Sequence, residues 1–484
     1  MADRPPGRPG NARSGNPGRK PSRGNWHGKR PHKSATAARR PPPEPSGYAV
    51  RALAVRLVSA VLDRRRALDD ALATELASPA GAALEPRDRG LARLIAATTL
   101  RRKGELEAVI AQFIERPLPD DRGLLTPILL CAAAQLLVLD IAPHAVLNIA
   151  VEQCRHDRGA RRFDRLANAV LRRVSERGRD ILSSLADPRL NAPQWQLARW
   201  TATYGEADTR RIVEASLCEA PLDLSAKVST DAATWAERLG GELLPTGTIR
   251  IVDPETRVDA LPGFADGAWW VQDAAAALPA RLLGDIAGHR VADLCAAPGG
   301  KTSQLAAAGA NVTAVDASAE RLKRVHQNLA RLQLTAEIVT ADIETWHPPP
   351  LFDAVLLDAP CTATGTIRRH PDILHLKRPS DLAPLAALQS RLLDRAAAML
   401  APGGTLVYCT CSLEPEEGER QIAAFLARNS SFSRVPLQAG EHSIPGDWIT
   451  PSGDLRTLPH HAPGMDGFYA ARLRLVSDPP GLTP

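Results

Sequence analysis

Two cysteines occupy positions where a thiol could act as a nucleophile. Cys361 ends the segment Asp358-Ala359-Pro360-Cys361, and Cys411 lies in Thr410-Cys411-Ser412. Each segment directly follows a short apolar run that predicts a buried strand. A buried cysteine is usually an inert apolar side chain. A thiol at the end of a strand, close to acids and a lysine, fits a nucleophile better.

Thiols beside a carboxylate suit substitution on a pyrimidine base. Carbon 5 of a pyrimidine is a poor nucleophile, but addition of a thiolate to carbon 6 makes it electron-rich, so that covalent catalysis divides one hard step into easier ones. A second group must then remove the carbon-5 proton, while a carboxylate such as Asp358 can hold the Watson–Crick edge of the base. The base would have to be unstacked to enter such a pocket.

A glycine turn would position the ligand of this site. Val291 to Leu294 predicts a buried parallel strand, Pro298-Gly299-Gly300 a tight turn, and Thr302 to Ala308 the start of a helix. This is the first unit of a doubly wound sheet, which binds its ligand at the carboxyl end of the strand. The segment lacks both the dinucleotide fingerprint and the phosphate-loop spacing. By itself it fits a nucleotide site and an ordinary strand-to-helix turn equally well.

Polar side chains close four further strands in series. The strands are predicted over Asn311–Val315, Glu337–Thr340, Phe352–Leu357 and Thr405–Tyr408. Asp316, Asp342, Asp358 and Cys411 follow them in that order. Since the carboxyl ends of parallel strands meet at one edge of a sheet, we expect these side chains to form one site. A carboxylate after the second strand, here Asp316, suits the hydroxyls of a ribose.

Composition sets the class of protein. The chain has 484 residues, of which 44% are hydrophobic, so that it can form about three domains. No apolar run approaches the ~20 residues of a membrane span, and no signal peptide is evident. The seven cysteines show no paired framework and no zinc spacing, which predicts reduced thiols in a cytoplasmic protein without a metal. Nothing in the sequence demands more than a monomer.

The positive charge is concentrated at the amino terminus. Residues 1–46 hold eleven Lys or Arg and two acids, so that this segment carries +9 and the remainder −3 of the net +6. It is rich in Pro and Gly and almost free of apolar residues, which predicts a disordered basic arm. Nonspecific affinity for RNA is favoured slightly. An extension with no dedicated role and an organellar transit peptide are the alternatives.

Two regions precede the glycine turn. Apolar residues at helical spacing predict helices from residue 48 to about 180, with a central buried helix at Ile128 to Leu139. Residues 190 to about 285 predict a connector and a small α/β segment, in which Trp269 and Trp270 are core residues. The helical region also carries a dense basic set, for which an RNA contact and a solvated face are equally good interpretations. This set comprises Arg155, Arg158, Arg161, Arg162, Arg165, Arg172 and Arg173.

Three motifs now identify a family. Asp-Leu-Cys-Ala-Ala-Pro-Gly-Gly-Lys-Thr from Asp293, Leu-Asp-Ala-Pro-Cys to Cys361 and Tyr-Cys-Thr-Cys-Ser to Ser412 resemble the motifs of the RNA (cytosine-5)-methyltransferases. The run Gly365–Asp372 narrows the resemblance to the bacterial Sun/Fmu branch, the ribosomal small subunit methyltransferase B type. The helical region resembles the antitermination factor NusB. The resemblance covers nearly everything from residue 48 onward.

The resemblance implies a multidomain fold and an activity. It implies an all-α NusB-like RNA-binding domain at 47–180, a linker and small α/β subdomain at 190–285, and a Rossmann-like methyltransferase domain at 286–478. The expected reaction transfers a methyl group from S-adenosyl-L-methionine to carbon 5 of a cytosine in 16S rRNA, either naked or in an assembling small subunit. Methylation of another RNA such as tRNA, and a non-catalytic NusB-like binding or assembly factor, are the alternatives.

The resemblance also implies residue roles. Asp316 would hold the ribose, Asp342 the adenine, and Arg321 would brace the cofactor side. Cys411 would be the nucleophile, Cys361 would assist product release, and Asp358 would face both the cytosine and the methyl donor. The turn that would wrap the cofactor consists of Cys295, Ala296, Ala297, Pro298, Gly299, Gly300 and Lys301.

Three features have no role that the resemblance implies, and one of them is the basic arm at residues 1–46, which is not part of the family pattern. Cys409 has no role that the resemblance implies, and we treat it as a packing residue. Ser225-Ala226-Lys227 stands where the family usually shows Arg-x-Asn.

Overall fold

The structure is a computed structural model that describes residues 46–185, 187–252, 257–348 and 351–476. The basic arm expected at residues 1–46 lies outside the described residues, apart from Ser46. Within the described ranges, no helix combines the length and apolar character that crossing a membrane requires.

The amino-terminal part is helical, as predicted. Its central helix, Leu125–Leu137, is buried over almost its whole length because nearly all of its residues are apolar. The neighbouring helices bury one face each against it and share its core. The helices are α1 (Tyr48–Leu62), α2 (Leu68–Leu76), α3 (Pro79–Ala82), α4 (Pro86–Arg101), α5 (Lys103–Ala111), α6 (Leu125–Leu137), α7 (Pro143–His156), α8 (Asp164–Ser184) and α9 (Gln194–Ser216).

A small antiparallel sheet follows, with the strand order β2-β3-β1-β4. Trp269 is fully buried and Trp270 nearly so, which confirms that both are core residues. The elements are β1 (Leu222–Ala226), α10 (Ala232–Arg238), β2 (Glu242–Leu243), β3 (Ile249–Ile251) and β4 (Trp269–Val271).

The carboxyl-terminal part is a mixed sheet covered by helices on both faces. Its strand order is β10-β12-β9-β8-β5-β6-β7, with β11 paired to β12. The elements are α11 (Leu278–Arg281), β5 (Arg290–Leu294), α12 (Gly300–Ala307), β6 (Asn311–Asp316), α13 (Ala319–Leu332), β7 (Glu337–Thr340), β8 (Phe352–Asp358), α14 (Ile373–Leu376), α15 (Leu382–Ala398), β9 (Leu400–Thr410), α16 (Glu419–Arg428), β10 (Phe432–Arg434), β11 (Leu455–Thr457) and β12 (Phe468–Leu475).

The connections of this sheet place its ligand edge. β5 pairs in parallel with β6 on one side and with β8 on the other, and β6–β7 and β8–β9 are also parallel. The chain moves outward from β5 to β7 and then returns to the far side of β5 as β8. The topological switch point therefore lies between β5 and β8, where open α/β sheets bind their ligands. β12 lies between β9 and the edge strand β10 and is antiparallel to both.

Candidate active site

The turn after β5 is shaped by its backbone. Cys295 and Gly299 have φ of 62° and 99°, and α12 begins at Gly300. A side chain on Gly299 would meet Val325 of α13 at 3.2 Å, so this position requires glycine both for its φ and for space. Ala296 and Ala297 are buried, whereas Pro298 is exposed. The turn thus presents its main chain at the switch point.

Asp316 and Arg321 fasten this turn to the next strand. The Asp316 carboxylate at the end of β6 is buried, and its Oδ2 accepts a hydrogen bond from Ala297 N at 3.2 Å. Arg321 Nη2 donates to Ala297 O at 2.7 Å, and Arg321 Nη1 lies 3.4 Å from Asp316 Oδ2. Ser318 caps α13 by accepting from Arg321 N, which fixes where Arg321 leaves the helix. Asp316 and Arg321 therefore both contact Ala297 of the glycine turn.

Asp342 lies beyond the end of β7 and is exposed. Its Oδ1 accepts a local hydrogen bond from Glu344 N at 3.0 Å. Ala341, the residue before Asp342, donates its N–H to Asp316 O at 3.2 Å. The exposed carboxylate of Asp342 therefore comes one residue after a main-chain contact with Asp316. Asp316 and Asp342, with the glycine turn, lie at the ends of adjacent parallel strands, an arrangement that fits a nucleoside ligand. Asp358 adds a negative charge, which suits a ligand with a positively charged group.

Asp358 closes β8 and is paired with the lysine of the glycine turn. Lys301 Nζ lies 2.7 Å from Asp358 Oδ2 and 5.0 Å from the centre of the Phe468 ring. Burial by itself would lower the pKa of Lys301, but the charge and hydrogen bond of Asp358, together with the neighbouring Cys409 and Asp293, leave that pKa raised. The ammonium group therefore stays charged and holds Asp358 at the switch point.

Cys409 is more than a packing residue in the structure. It is fully buried in the core beneath the site. Its Sγ also lies 3.6 Å from Asp358 Oδ1, opposite the oxygen that Lys301 binds. The Asp358 carboxylate thus has one partner on each oxygen. From the sequence, Cys409 is expected to be a packing residue because the resemblance implies no role for it, and its contact with Asp358 depends on the pairing of β8 with β9.

The two thiols singled out in the sequence lie together. Cys361 Sγ and Cys411 Sγ are 3.5 Å apart, and both residues are partly buried. The hydrogen bond to Cys411, then burial, and then the charges of Cys411 and Glu417 raise the pKa of Cys361 well above its usual value. These contacts therefore favour the protonated form of Cys361. All seven cysteines of the chain are free thiols.

The run Gly365–Asp372 joins this site to the helical domain. Arg101 Nη2 donates to Arg368 O at 3.0 Å, and Asp372 Oδ2 accepts from Leu68 N at 3.0 Å. On the other side, Arg369 Nε donates to the buried Asp466 at 2.8 Å. The segment that follows Cys361 is therefore held from both domains.

The basic set of the helical domain remains a candidate RNA contact. All seven arginines are exposed. Arg155, Arg162 and Arg172 each pair with a nearby carboxylate. Arg158, Arg161 and Arg162 line a cavity of about 470 Å³ together with Asp121. Among the described residues, no group of three or more His, Cys, Asp or Glu could hold a metal ion.

Two buried acids near the site, Asp293 and Glu417, have no role in the predictions made from the sequence. Asp293 lies inside β5, where its Oδ2 accepts a hydrogen bond from Thr302 Oγ1 at 2.6 Å and where burial raises its pKa to about 7. An acid inside an apolar run was the available signal for it. Glu417 lies behind the two cysteine segments with no exposed surface. Glu417 is the last residue of the segment Glu414-Pro415-Glu416-Glu417. A segment with three acids and a proline is typical of solvent-exposed loops.

Comparison with known proteins agrees with this arrangement in both halves of the chain. The model of the family described as 16S rRNA methyltransferase RsmB/F matches residues 280–474. The NusB family model matches residues 48–176. The glycine turn, Asp358, Cys361 and Cys411 all fall inside the first match, and the basic set falls inside the second.

Whole-length relatives carry the same combination. Ribosomal RNA small subunit methyltransferase B of Xylella fastidiosa strain Temecula1 is 38% identical over 88% of this chain and 98% of the relative. The protein of the same name from Vibrio cholerae serotype O1 is 36% identical over 88% of this chain and 97% of the relative. The crystal structure of a methyltransferase homolog protein from Pyrococcus horikoshii matches with a TM-score of 0.51 and 28% identity, over 60% of this chain and 99% of that chain. The chain therefore belongs to the RsmB/F family of 16S rRNA methyltransferases, enzymes that use S-adenosyl-L-methionine.

Proposed function

We propose that the protein methylates carbon 5 of a cytosine in 16S rRNA through a covalent bond to Cys411. The observation that carries this proposal is the pair of thiols 3.5 Å apart, beside a carboxylate held by Lys301 at the ligand edge of the sheet. Methylation of a base nitrogen or of a ribose hydroxyl needs no thiol. Attack on carbon 6 of a pyrimidine needs one, because carbon 5 is otherwise a poor nucleophile.

The cofactor would lie across the turn from Cys295 to Lys301, with Asp316 at the ribose, Asp342 at the adenine and Arg321 bracing the turn. S-adenosyl-L-methionine supplies an electrophilic methyl group at this place. The chain contributes the main chain of the glycine turn, which approaches a ligand closely, and the carboxylates that orient it. Asp358, fixed by Lys301, would hold the Watson–Crick edge of the flipped cytosine and offset charge that develops on the base.

The two cysteines divide the work. Cys411, as thiolate, forms a bond from its sulfur to carbon 6, and the electrons of the 5,6 double bond move onto carbon 5, which takes the methyl group. Loss of the carbon-5 proton then returns the C–H electron pair to the 5,6 double bond and expels the Cys411 thiolate. Cys361 would accept that proton as a thiolate. Before this step Cys361 would release its own proton to water, and its sulfur lies 3.5 Å from that of Cys411.

The experiment that tests this reaction uses methyl-labelled S-adenosyl-L-methionine with 16S rRNA, assembling small subunits and tRNA in parallel. The modified nucleoside is identified by mass spectrometry after digestion. Label in 5-methylcytidine from 16S rRNA or from the subunit supports the proposal, and the two arms identify the true substrate. Label in another nucleoside contradicts it, and label in tRNA alone assigns the enzyme to the alternative RNA.

A further inference from the structure

Glu417 is a buried carboxylate that holds the segment carrying Cys361. It ends the turn Pro415–Glu417 after β9 and has no exposed surface. Thr362 N donates to its Oε1 at 2.9 Å and to its Oε2 at 3.1 Å, and the Thr362 hydroxyl donates to it as well. Because Thr362 directly follows Cys361, these bonds fix the main chain beside this thiol.

The same carboxylate holds the segment carrying Cys411. The hydroxyl of Ser412, the residue after Cys411, donates to Glu417 Oε2. Gln389 of α15 donates both to Glu417 Oε1 at 3.0 Å and to Pro360 O at 2.9 Å. The two cysteines follow different strands, β8 and β9. The segments that carry them are thus connected through the side chains of Glu417 and Gln389.

A second buried glutamate in the same turn shows what a purely structural carboxylate looks like here. Glu414 is also fully buried, and it pairs with Arg199 Nε at 2.6 Å and with Trp200 Nε1 at 3.1 Å on α9. The donors to Glu417 are neutral: a main-chain N–H, two hydroxyls and an amide. Burial of a carboxylate costs free energy, and a cation is the usual compensation. In the described part of the chain, the hydrogen bonds to the Glu417 carboxylate come instead from Thr362, Ser412 and Gln389, and the first two of these directly follow the two cysteines.

We infer that Glu417 is a positioning residue for the two-thiol reaction, which holds Cys361 against Cys411 so that Cys361 can complete product release. The inference rests on the proposed function. The negative charge of Glu417 also contributes to the raised pKa of Cys361, after the hydrogen bond to Cys411 and burial.

Glu417→Gln tests this role. Thr362 N donates to both oxygens of Glu417, so an amide would turn its own N–H groups toward a donor and release the Cys361 segment. Attack by Cys411 needs no contribution from Cys361 and continues, whereas release becomes slow. We expect kcat to fall by on the order of 10²-fold, the KM for RNA to stay unchanged, and a protein–RNA adduct stable on a denaturing gel to accumulate. A merely structural defect would lower adduct and turnover together.

Glu414→Gln is the matched control, because it removes an equally buried charge three residues away. It is expected to accumulate no adduct. Gln389→Met, which removes the donor to Pro360 O and Glu417, keeps the test open if Glu417→Gln folds poorly, and it should accumulate adduct in the same direction. The inference is overturned if folded Glu417→Gln turns over like the wild type, or if neither Glu417→Gln nor Gln389→Met accumulates adduct while Cys361→Ala does. If Cys361→Ala forms no adduct either, the proposed function itself fails.

Discussion

The sulfur atoms of Cys361 and Cys411 lie 3.5 Å apart, although 50 positions separate the two residues in the chain. The sheet produces this contact. β8 and β9 are adjacent parallel strands, and Asp358 pairs in register with Cys409. The segments that leave the two strands therefore emerge side by side at the ligand edge. Neither thiol is placed by its own local sequence, and each depends on the strand that precedes it.

Cys409 should tune the site without reacting in it. Its contact to Asp358 Oδ1 at 3.6 Å is a weak sulfur hydrogen bond, and such bonds contribute about 0.5–1 kcal/mol. We expect Cys409→Ala to lower kcat by less than about tenfold, as such an energy allows, and to leave adduct formation intact. Cys218→Ala, at an exposed thiol, is the control. Complete loss of adduct in Cys409→Ala would mean that Cys409, and not Cys411, is the nucleophile.

Arg321 should matter for the cofactor and not for RNA. Its guanidinium bonds Ala297 O and pairs with Asp316, so Arg321→Ala loosens the turn that would hold S-adenosyl-L-methionine. Hydrogen bonds to charged groups contribute about 1.5–3 kcal/mol, which predicts a rise in Kd of roughly tenfold or more by isothermal titration calorimetry. Arg324→Ala, exposed on the same helix, should leave the Kd unchanged. Equal Kd values for both variants would remove Arg321 from the cofactor site.

The basic set should bind RNA through phosphates. Arg158 and Arg161 are exposed beside a common cavity, and each neutralised phosphate releases counterions. We expect Arg158→Glu with Arg161→Glu to weaken RNA binding and to reduce the salt dependence of log K by about one per arginine, measured by fluorescence anisotropy from low to high salt. Arg87→Glu with Arg474→Glu makes the same charge change at other exposed sites. If both double variants lose affinity equally, the effect comes from net charge and not from this surface.

Asp293 should give stability a distinctive pH dependence. Burial raises its pKa from 3.8 to about 7 in the folded protein, so folding disfavours its ionised form. The resulting cost is absent below about pH 4, grows as the pH rises through the window between the two pKa values, and is complete above about pH 7. Asp293→Asn keeps an acceptor for Thr302 without this cost. The melting temperature of Asp293→Asn relative to that of the wild type should therefore rise from pH 4 to pH 8. A difference in melting temperature that does not change with pH would contradict the raised pKa of Asp293.

Much of the catalytic domain could be predicted because its strands are short apolar runs closed by polar residues. The strand Glu337–Thr340 was predicted with the observed bounds, and β5, β6 and β8 within one residue at either end. β10 and β11 were missed. Each has three residues, too few for a periodic pattern, and each forms by pairing with β12.

The residues that support the site could not be predicted from the sequence, for a different reason. Glu417 bonds Ser412, Gln389 and Thr362, which lie 5, 28 and 55 positions away. Its local sequence, Glu-Pro-Glu-Glu, is that of an exposed turn, and only the tertiary fold buries it. The motifs therefore identify the side chains that would touch ligand and base, whereas the groups that orient them follow from the packing of distant segments.

The most direct test of the two-thiol reaction compares wild type, Cys411→Ala and Cys361→Ala with 16S rRNA and labelled S-adenosyl-L-methionine. Methyl transfer and protein–RNA adducts on a denaturing gel are followed in the same samples. The account predicts that wild type transfers label, that Cys411→Ala gives neither label nor adduct, and that Cys361→Ala accumulates an adduct that survives denaturation. Methyl transfer by Cys411→Ala, or an adduct that requires Cys361, would contradict it.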